Sequence, residues 1–301
     1  MSKLNKYDVI IIGGSYSGLS AAMALGRARR RVLIIDSGKP CNATAPHSHN
    51  FLTQDGVEPS IIANIGKRQV LAYPSVTYLN GLVTAVNGSD YNFQVSVSSA
   101  EVYTSNKLLF ATGVKDILPE TPGFEACWGK SIIHCPYCHG YEYADQATGV
   151  LANGDMAFEF GRLIRNWSQN LTIFTNGAST ISKEYSLVLH DLNVTIETAL
   201  IVDLEHQSGF IKSARLEDGR IVPIQVLYAR LPFEQHFAGI IEIGCELTAD
   251  GFVRVDDFSK TSIPGIYAVG DCTTLFRSVA GAVASGSKAG AMLNHEMIAQ
   301  L

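Results

Sequence analysis

The stretch KYDVIIIGGSYSGLSAAMALGRARRRVLIID, residues 6 to 36, decides the fold. Val9 to Ile12 form an unbroken apolar run, which suits a strand buried on both faces rather than one facing water. Gly13, Gly14 and Gly18 fall in the turn that follows, and Ala21, Ala22 and Leu25 supply the inner face of a helix. RVLIID is a second buried strand, ending on Asp36 with Ser37 behind it. Strand, glycine turn, helix, strand and acid is nearly the dinucleotide fingerprint. Glycines let the backbone approach a pyrophosphate set against the positive end of the helix, and the carboxylate reaches a ribose hydroxyl. Ser15 departs from it, standing where the central glycine is usual and narrowing the room for phosphates. Such glycines can also serve close packing alone; the strand and helix context and Asp36 argue for a nucleotide.

Two later stretches extend the ligand beyond a mononucleotide. KLLFATG, residues 107 to 113, is a strand that ends in a turn of Ala111, Thr112 and Gly113. Residues 262 to 290 read as a strand leading to Gly270 and Asp271, then a helix of small residues from about Val279 and Ala280. Asp271 is placed to take a ribityl hydroxyl, and the helix start to offer backbone N–H groups to the electron-rich edge of an isoalloxazine.

HCPYCHGYE, residues 134 to 142, carries the chemistry. Six cysteines in 301 residues are too few for a disulfide scaffold, so the close pair Cys135 and Cys138 is more plausibly reactive than structural. A zinc site would need two more ligands; His134 and His139 sit on the same short turn and cannot readily close a tetrahedron, so no metal is expected. Cysteines three apart on a first helical turn can form a disulfide, and the helix end lowers a thiol pKa. His139, directly behind, titrates near neutrality and can take or return a thiol proton. Its plainer role would be solvent-facing turn polarity.

With these motifs in this order, the chain resembles the low-molecular-weight thioredoxin reductase family of flavoprotein disulfide oxidoreductases along essentially its whole length. The resemblance implies FAD, held by Gly13, Gly14, Ser15, Ser17 and Gly18, by Asp36 and Ser37, and by the ATG and Gly270–Asp271 turns. It implies an α/β fold of two Rossmann-like domains, the second inserted into the first. Residues 1–118 with 245–301 would form the FAD domain and 119–244 the central one. It also implies that the loop after Asp36 wraps the flavin, with Asn50, Phe51 and Thr53 nearest. His47 and His49 of that loop either face the substrate thiols or lie on the surface. Cys138 would face the flavin and Cys135 the substrate, in a homodimer. The family usually has an aspartate where this chain has His139, and C-x-x-C-H more closely resembles a branch that includes dithiol oxidases.

The central domain should carry NADPH, and here the pattern weakens. Residues 148 to 177 keep a strand, turn, helix and strand, but of the family's glycine triplet only Gly154 remains in Ala152 to Ala157. The basic cluster for a 2′-phosphate is replaced by Thr175, Asn176 and Gly177, and LYARLPFEQH lacks the usual glycine-bearing strand end. The expectation is a domain that keeps its fold but binds NADPH poorly or not at all; NADH held by another route stays open.

The net charge of −5 argues against a nucleic-acid partner, and the apolar run near the N-terminus is too short for a membrane span. The reading is an enzyme of the cytoplasm that exchanges electrons with a small dithiol or a thioredoxin-like protein. The alternatives are an NAD(P)H-dependent thioredoxin-disulfide reductase with an atypical nucleotide site, and a non-catalytic flavin-binding redox sensor.

Overall fold

A computed structural model describes residues 6–300. Among the described residues the chain divides into two compact units, one from residues 44–49 and 116–232 and the other from the remaining described segments before, between and after them. The return crossing falls at Pro232 and Phe233, ahead of the one expected near Gly244.

The larger unit is built on a seven-stranded sheet. Its parallel part runs Val76–Asn80, Val32–Asp36, Lys6–Ile12, Val102–Phe110, with Ile266–Ala268 also paired to the last of these. Asn92–Val97 and Val83–Ser89 continue the sheet antiparallel. The apolar runs are continuous because both faces are covered. Val9, Ile11, Val32, Ile34 and Leu109 point into a core shared with the helices Tyr16–Arg27 and Val279–Ala299, while Ile10, Ile12, Leu33, Ile35 and Phe110 point into the opposite core.

Register then levels the strand ends. Ile12 lies opposite both Ile35 and Phe110, and Phe110 opposite Ala268. The residues that follow each strand therefore emerge along one rim, at the carboxyl ends where parallel α/β sheets bind ligands. The two helices pack closely because small residues face each other. A Cβ on Gly290 would come within 2.6 Å of the Ala21 carbonyl, and one on Gly286 would strike the Ser17 backbone. The first turn of helix Tyr16–Arg27 thus lies against the second turn of helix Val279–Ala299.

The smaller unit has a five-stranded parallel sheet in the order Thr195–Glu197, Leu171–Phe174, Thr148–Leu151, Val226–Ala229, Ile132–Ile133. A three-stranded antiparallel ribbon, Ile201–Gln207, Phe210–Leu216 and Ile221–Pro223, accompanies it. Helix Gly154–Ile164 turns Phe158 and Ile164 inward, and Phe158 stacks on Tyr185 of helix Lys183–Asp191 at 3.9 Å. The edge strand Ile132–Ile133 leads straight into the cysteine turn, pinned where Leu227 N–H donates to the Ser131 carbonyl at 2.9 Å. Among the described residues no helix is long and apolar enough to cross a membrane.

Candidate functional site: a dinucleotide rim and a redox disulfide

The rim of the larger unit gathers Gly13, Gly14, Ser15, Asp36, Ser37, Ala111, Thr112, Gly113, Gly270 and Asp271 from four strand ends. Gly13 is left-handed (φ 106°), and a Cβ there would collide with the Ala111 carbonyl. A Cβ on Gly18 would collide with the Gly13 carbonyl, so two of the three motif glycines are forced by backbone crossings. Gly14 N–H donates to Asp36 Oδ1 at 3.0 Å, and Tyr78 Oη donates to Oδ2 at 2.6 Å. Asp36 in turn holds the Tyr78 phenol protonated, adding to the upward push of burial. Asp36 is thereby oriented at the mouth of a cleft of about 430 Å³ lined also by Ser37, Gly38, Asn80, Leu82 and His236. Ser15 occupies the N-cap of the first helix, but its side chain makes no cap bond, which leaves first-turn N–H groups for an anion.

Gly270 is also left-handed (φ 77°), and a Cβ on it would approach Ser17 Oγ to 2.6 Å. The Gly270–Thr273 turn is thus seated on the first helix. Asp271 stands in this turn, with the Cys41 thiol 3.6 Å from its Oδ2. Cys272 points the other way, fully buried, its S–H directed at the Val269 carbonyl and its thiol pushed up to about 12 by burial and by Asp271. It is a packing residue. Ser278 caps the last helix by accepting from Gly281 N–H at 3.0 Å, and Val279 and Ala280 open its first turn.

Two observations fit FAD to this rim. Thr112 Oγ1 is buried without a hydrogen-bond partner, and a Cβ on the adjoining left-handed Gly113 would meet nothing within 4 Å. A polar atom and open space at the strand end are what a bound flavin would satisfy and fill. Asn50 and Thr53, on the next loop, both adopt positive φ (56° and 74°), the latter unusual for a β-branched residue. Phe51 between them is half-buried, and Asp55 Oδ1 accepts from Asn50 N–H at 2.8 Å.

In the smaller unit Cys135 and Cys138 are joined in a disulfide, their Cα atoms 5.4 Å apart. Cys135 occupies the N-cap of the single turn Pro136–His139. Tyr137 (61% exposed) stands between the two cysteines and Tyr141 (85%) beyond them, Tyr137 edge-on to Trp167 at 5.5 Å. His139 is half-buried, and its pKa is lowered by burial first and by His49 next, with Glu142 opposing. That direction favours the neutral imidazole. Among the described residues no group of three or more His, Cys, Asp or Glu side chains is arranged to hold a metal.

His49 is the residue that the sequence left ambiguous. Thr44–His49 packs within the smaller unit, and His49 meets His139 edge-on at 6.1 Å between ring centroids. Glu142 pairs with His49, Oε1 to Nδ1 3.5 Å. Nothing in the spacing of residues 44 to 49 signals a partner ninety residues on; two histidines in one loop were the only hint.

The second nucleotide-like turn is closed by its own side chains. Asn153 caps helix Gly154–Ile164: its Oδ1 accepts from Gly154 N–H at 2.9 Å, from Thr180 N–H at 2.8 Å and from the Thr180 hydroxyl at 3.1 Å. Its amide donates to the Ala178 carbonyl at 2.9 Å. Asp155 adds a carboxylate to the first turn, where a pyrophosphate would need the helix's positive end. Past the next strand, the Thr175 hydroxyl donates to the Gly177 carbonyl and Asn176 Oδ1 accepts from Ile201 N–H at 2.8 Å. The polar atoms of this turn are thus engaged within the smaller unit itself.

Fold and site together define a two-electron disulfide oxidoreductase, and relatives agree. Residues 7–286 match the pyridine nucleotide-disulphide oxidoreductase family model. A thioredoxin reductase of Claviceps purpurea, tcpT, is 31% identical over 100% of this chain and 97% of its own. The thioredoxin reductase aclD of Aspergillus oryzae is 32% identical over 94% of each. The crystal structure of an oxidoreductase from Agrobacterium tumefaciens superposes with a TM-score of 0.92 at 36% identity, covering 98% of this chain and 100% of that one. The chain belongs to the pyridine nucleotide-disulphide oxidoreductase family, whose members are FAD-dependent enzymes of disulfide exchange.

Proposed function

We propose that this chain is a dithiol oxidase: it takes two electrons from a small dithiol or a thioredoxin-like protein through Cys135–Cys138 and works without NADPH. The observation that carries the reading is Asn153, whose four bonds lace shut the turn in which a pyrophosphate would lie. Asp155 and the inward-bonded Thr175 and Asn176 add to it.

His139 takes the proton of an incoming thiol. The thiolate attacks Cys135 Sγ, the Cys135–Cys138 bond breaks, and Cys138 leaves as a thiolate. The second substrate thiol then attacks the mixed disulfide, freeing Cys135 and closing the substrate disulfide; two electrons have passed to the protein. Bound FAD would supply the next two-electron acceptor and its reoxidation by oxygen. Gly13, Gly14, Ser15, Ser17, Gly18, Asp36 and Ser37 would hold the adenosine diphosphate half. Asn50, Phe51, Thr53, Ala111, Thr112, Gly113, Gly270, Asp271, Val279 and Ala280 would hold the flavin half. Four of the six cysteines are free thiols, which suits the reducing cytoplasm. The same reading takes the working form as a homodimer.

The relatives' names favour a second reading, in which NADPH is the donor and thioredoxin the acceptor. Anaerobic mixing of the yellow protein with NADPH, NADH and dithiothreitol separates the two. Bleaching of the flavin by the dithiol alone, lost in Cys138→Ser, is expected; rapid bleaching by NADPH would overturn the proposal.

A further inference from the structure

We propose that Trp167 is a positioning residue for the redox pair: its indole, set against Gly140 and Tyr137, seats the turn of Cys135 and Cys138 and keeps the two sulfurs poised to rejoin. This deepens the reading of Cys135–Cys138 as the centre that receives the substrate's electrons, and rests on it. Pro136–His139 is a single helical turn, closed where Gly140 N–H donates to the Pro136 carbonyl at 2.6 Å. One turn fixes several backbone angles for one bond and does not hold itself in water. Its leading end is pinned by the pairing of Ile132–Ile133 with Val226–Ala229, and its trailing end rests on Trp167. Gly140 has an ordinary helical backbone (φ −68°), so no left-handed conformation calls for glycine there. The reason is space: a Cβ would strike the Pro136 carbonyl and lie 2.9 Å from the indole Nε1 of Trp167. The Tyr137 ring meets the same indole edge-on at 5.5 Å.

Backbone bonds on both sides hold the indole in place. Trp167 follows helix Gly154–Ile164; its N–H donates to the Ile164 carbonyl at 2.9 Å, and its carbonyl accepts from Asp145 N–H at 2.8 Å. Ser168, the next residue, is buried and donates to the Gln146 carbonyl. Asp145 and Gln146 lie shortly after the redox turn, so Trp167 is stitched to the very chain that it supports. These are the contacts of the disulfide state. Reduction breaks the Sγ–Sγ bond and adds two electrons and two protons, which two glutathione thiols supply as they join in a disulfide. Opposing it is the local concentration of each cysteine thiol at the other, which falls when the turn between them loosens. A turn freed from the indole gives up its disulfide more readily, and the midpoint potential rises.

The test is the midpoint of the pair in the holoenzyme, poised anaerobically in glutathione buffers and read by mass spectrometry of the alkylated peptide that holds both cysteines. In Trp167→Leu the equilibrium is expected to move about fivefold toward the dithiol, which is about 20 mV upward at about 30 mV per tenfold. Trp167→Phe keeps an aromatic edge under the turn and should recover about half of that shift. Tyr137→Ala removes the ring that meets the indole and should raise the midpoint by the equivalent of about twofold. A residue that only packs would lower the melting temperature of Trp167→Leu and leave the midpoint where it is. That result, or a midpoint that falls, sinks the proposal. Should Trp167→Leu fail to fold, Tyr137→Ala decides, because its ring is 61% exposed; an unmoved midpoint there counts against the indole. The glutathione readout needs no turnover, so it judges Trp167 even if dithiothreitol leaves the wild-type flavin unbleached and the dithiol oxidase reading fails.

Discussion

At the scale of the residue, the rim depends on atoms that are missing. Gly13 tolerates no Cβ because the Ala111 carbonyl occupies that space and because its φ of 106° strains any side chain. Gly13→Ala is therefore expected to shift the turn away from the pyrophosphate path. The purified variant should lose most of its flavin, read as the ratio of flavin to protein absorbance, with a backbone penalty of about 1–2 kcal/mol in the thermal unfolding of what remains. Ser15, the one departure from the glycine pattern, has the extended backbone (φ −89°, ψ −161°) that any residue adopts. That is why a serine fits there while alanine at Gly13 does not.

At the scale of the element, the last helix is held by a buried charge. Lys107, fully buried at the start of KLLFATG, donates from Nζ to Asp90 Oδ2 at 2.9 Å and pairs with Glu296 near the helix's far end. Glu296 also accepts from Tyr267 Oη at 2.8 Å and pairs with Lys260. Burial alone would raise the Glu296 carboxyl, but these donors outweigh it and bring its pKa down to about 2 from 4.5. A carboxyl depressed in the folded state stabilises fully above its unfolded pKa, and that contribution fades as pH falls from about 4.5 toward 2. Glu296→Gln should flatten the acid limb of stability against pH in that window. Lys107→Met should cost about 3 kcal/mol in denaturant unfolding, because it takes from Asp90 and Glu296 the buried cation they share and leaves both carboxylates in place.

The same lysine shows what a sequence conceals. The parallel strands were legible as unbroken apolar runs, and with them the glycine turns, the closing helix and the cysteine pair. Lys107 reads as the polar start of a strand, and its depth follows only from Asp90 and Glu296 folding over it. Asn153 likewise reads as a lost glycine. Its bonds to Thr180 and Ala178 depend on a loop whose path no local pattern records.

At the scale of the whole molecule, both ends of the chain build one unit and the middle builds the other. The smaller unit owns two apolar cores, one around Phe158, Ile173 and Tyr228 and one around Phe124, Phe174 and Leu227. Residues 116–232 expressed alone are expected to unfold cooperatively in urea, with tryptophan fluorescence and far-UV circular dichroism giving coincident transitions. Non-coincident curves would show that the cores need the rest of the chain.

The six residues Thr44–His49 set a limit on such dissection. A chimera made by exchanging the contiguous insert with that of a relative would carry the cysteines, His139 and Glu142 across but leave the imidazole of His49 behind. The smaller unit of this chain is drawn from two stretches of sequence, so moving it whole into another scaffold means transplanting both at once.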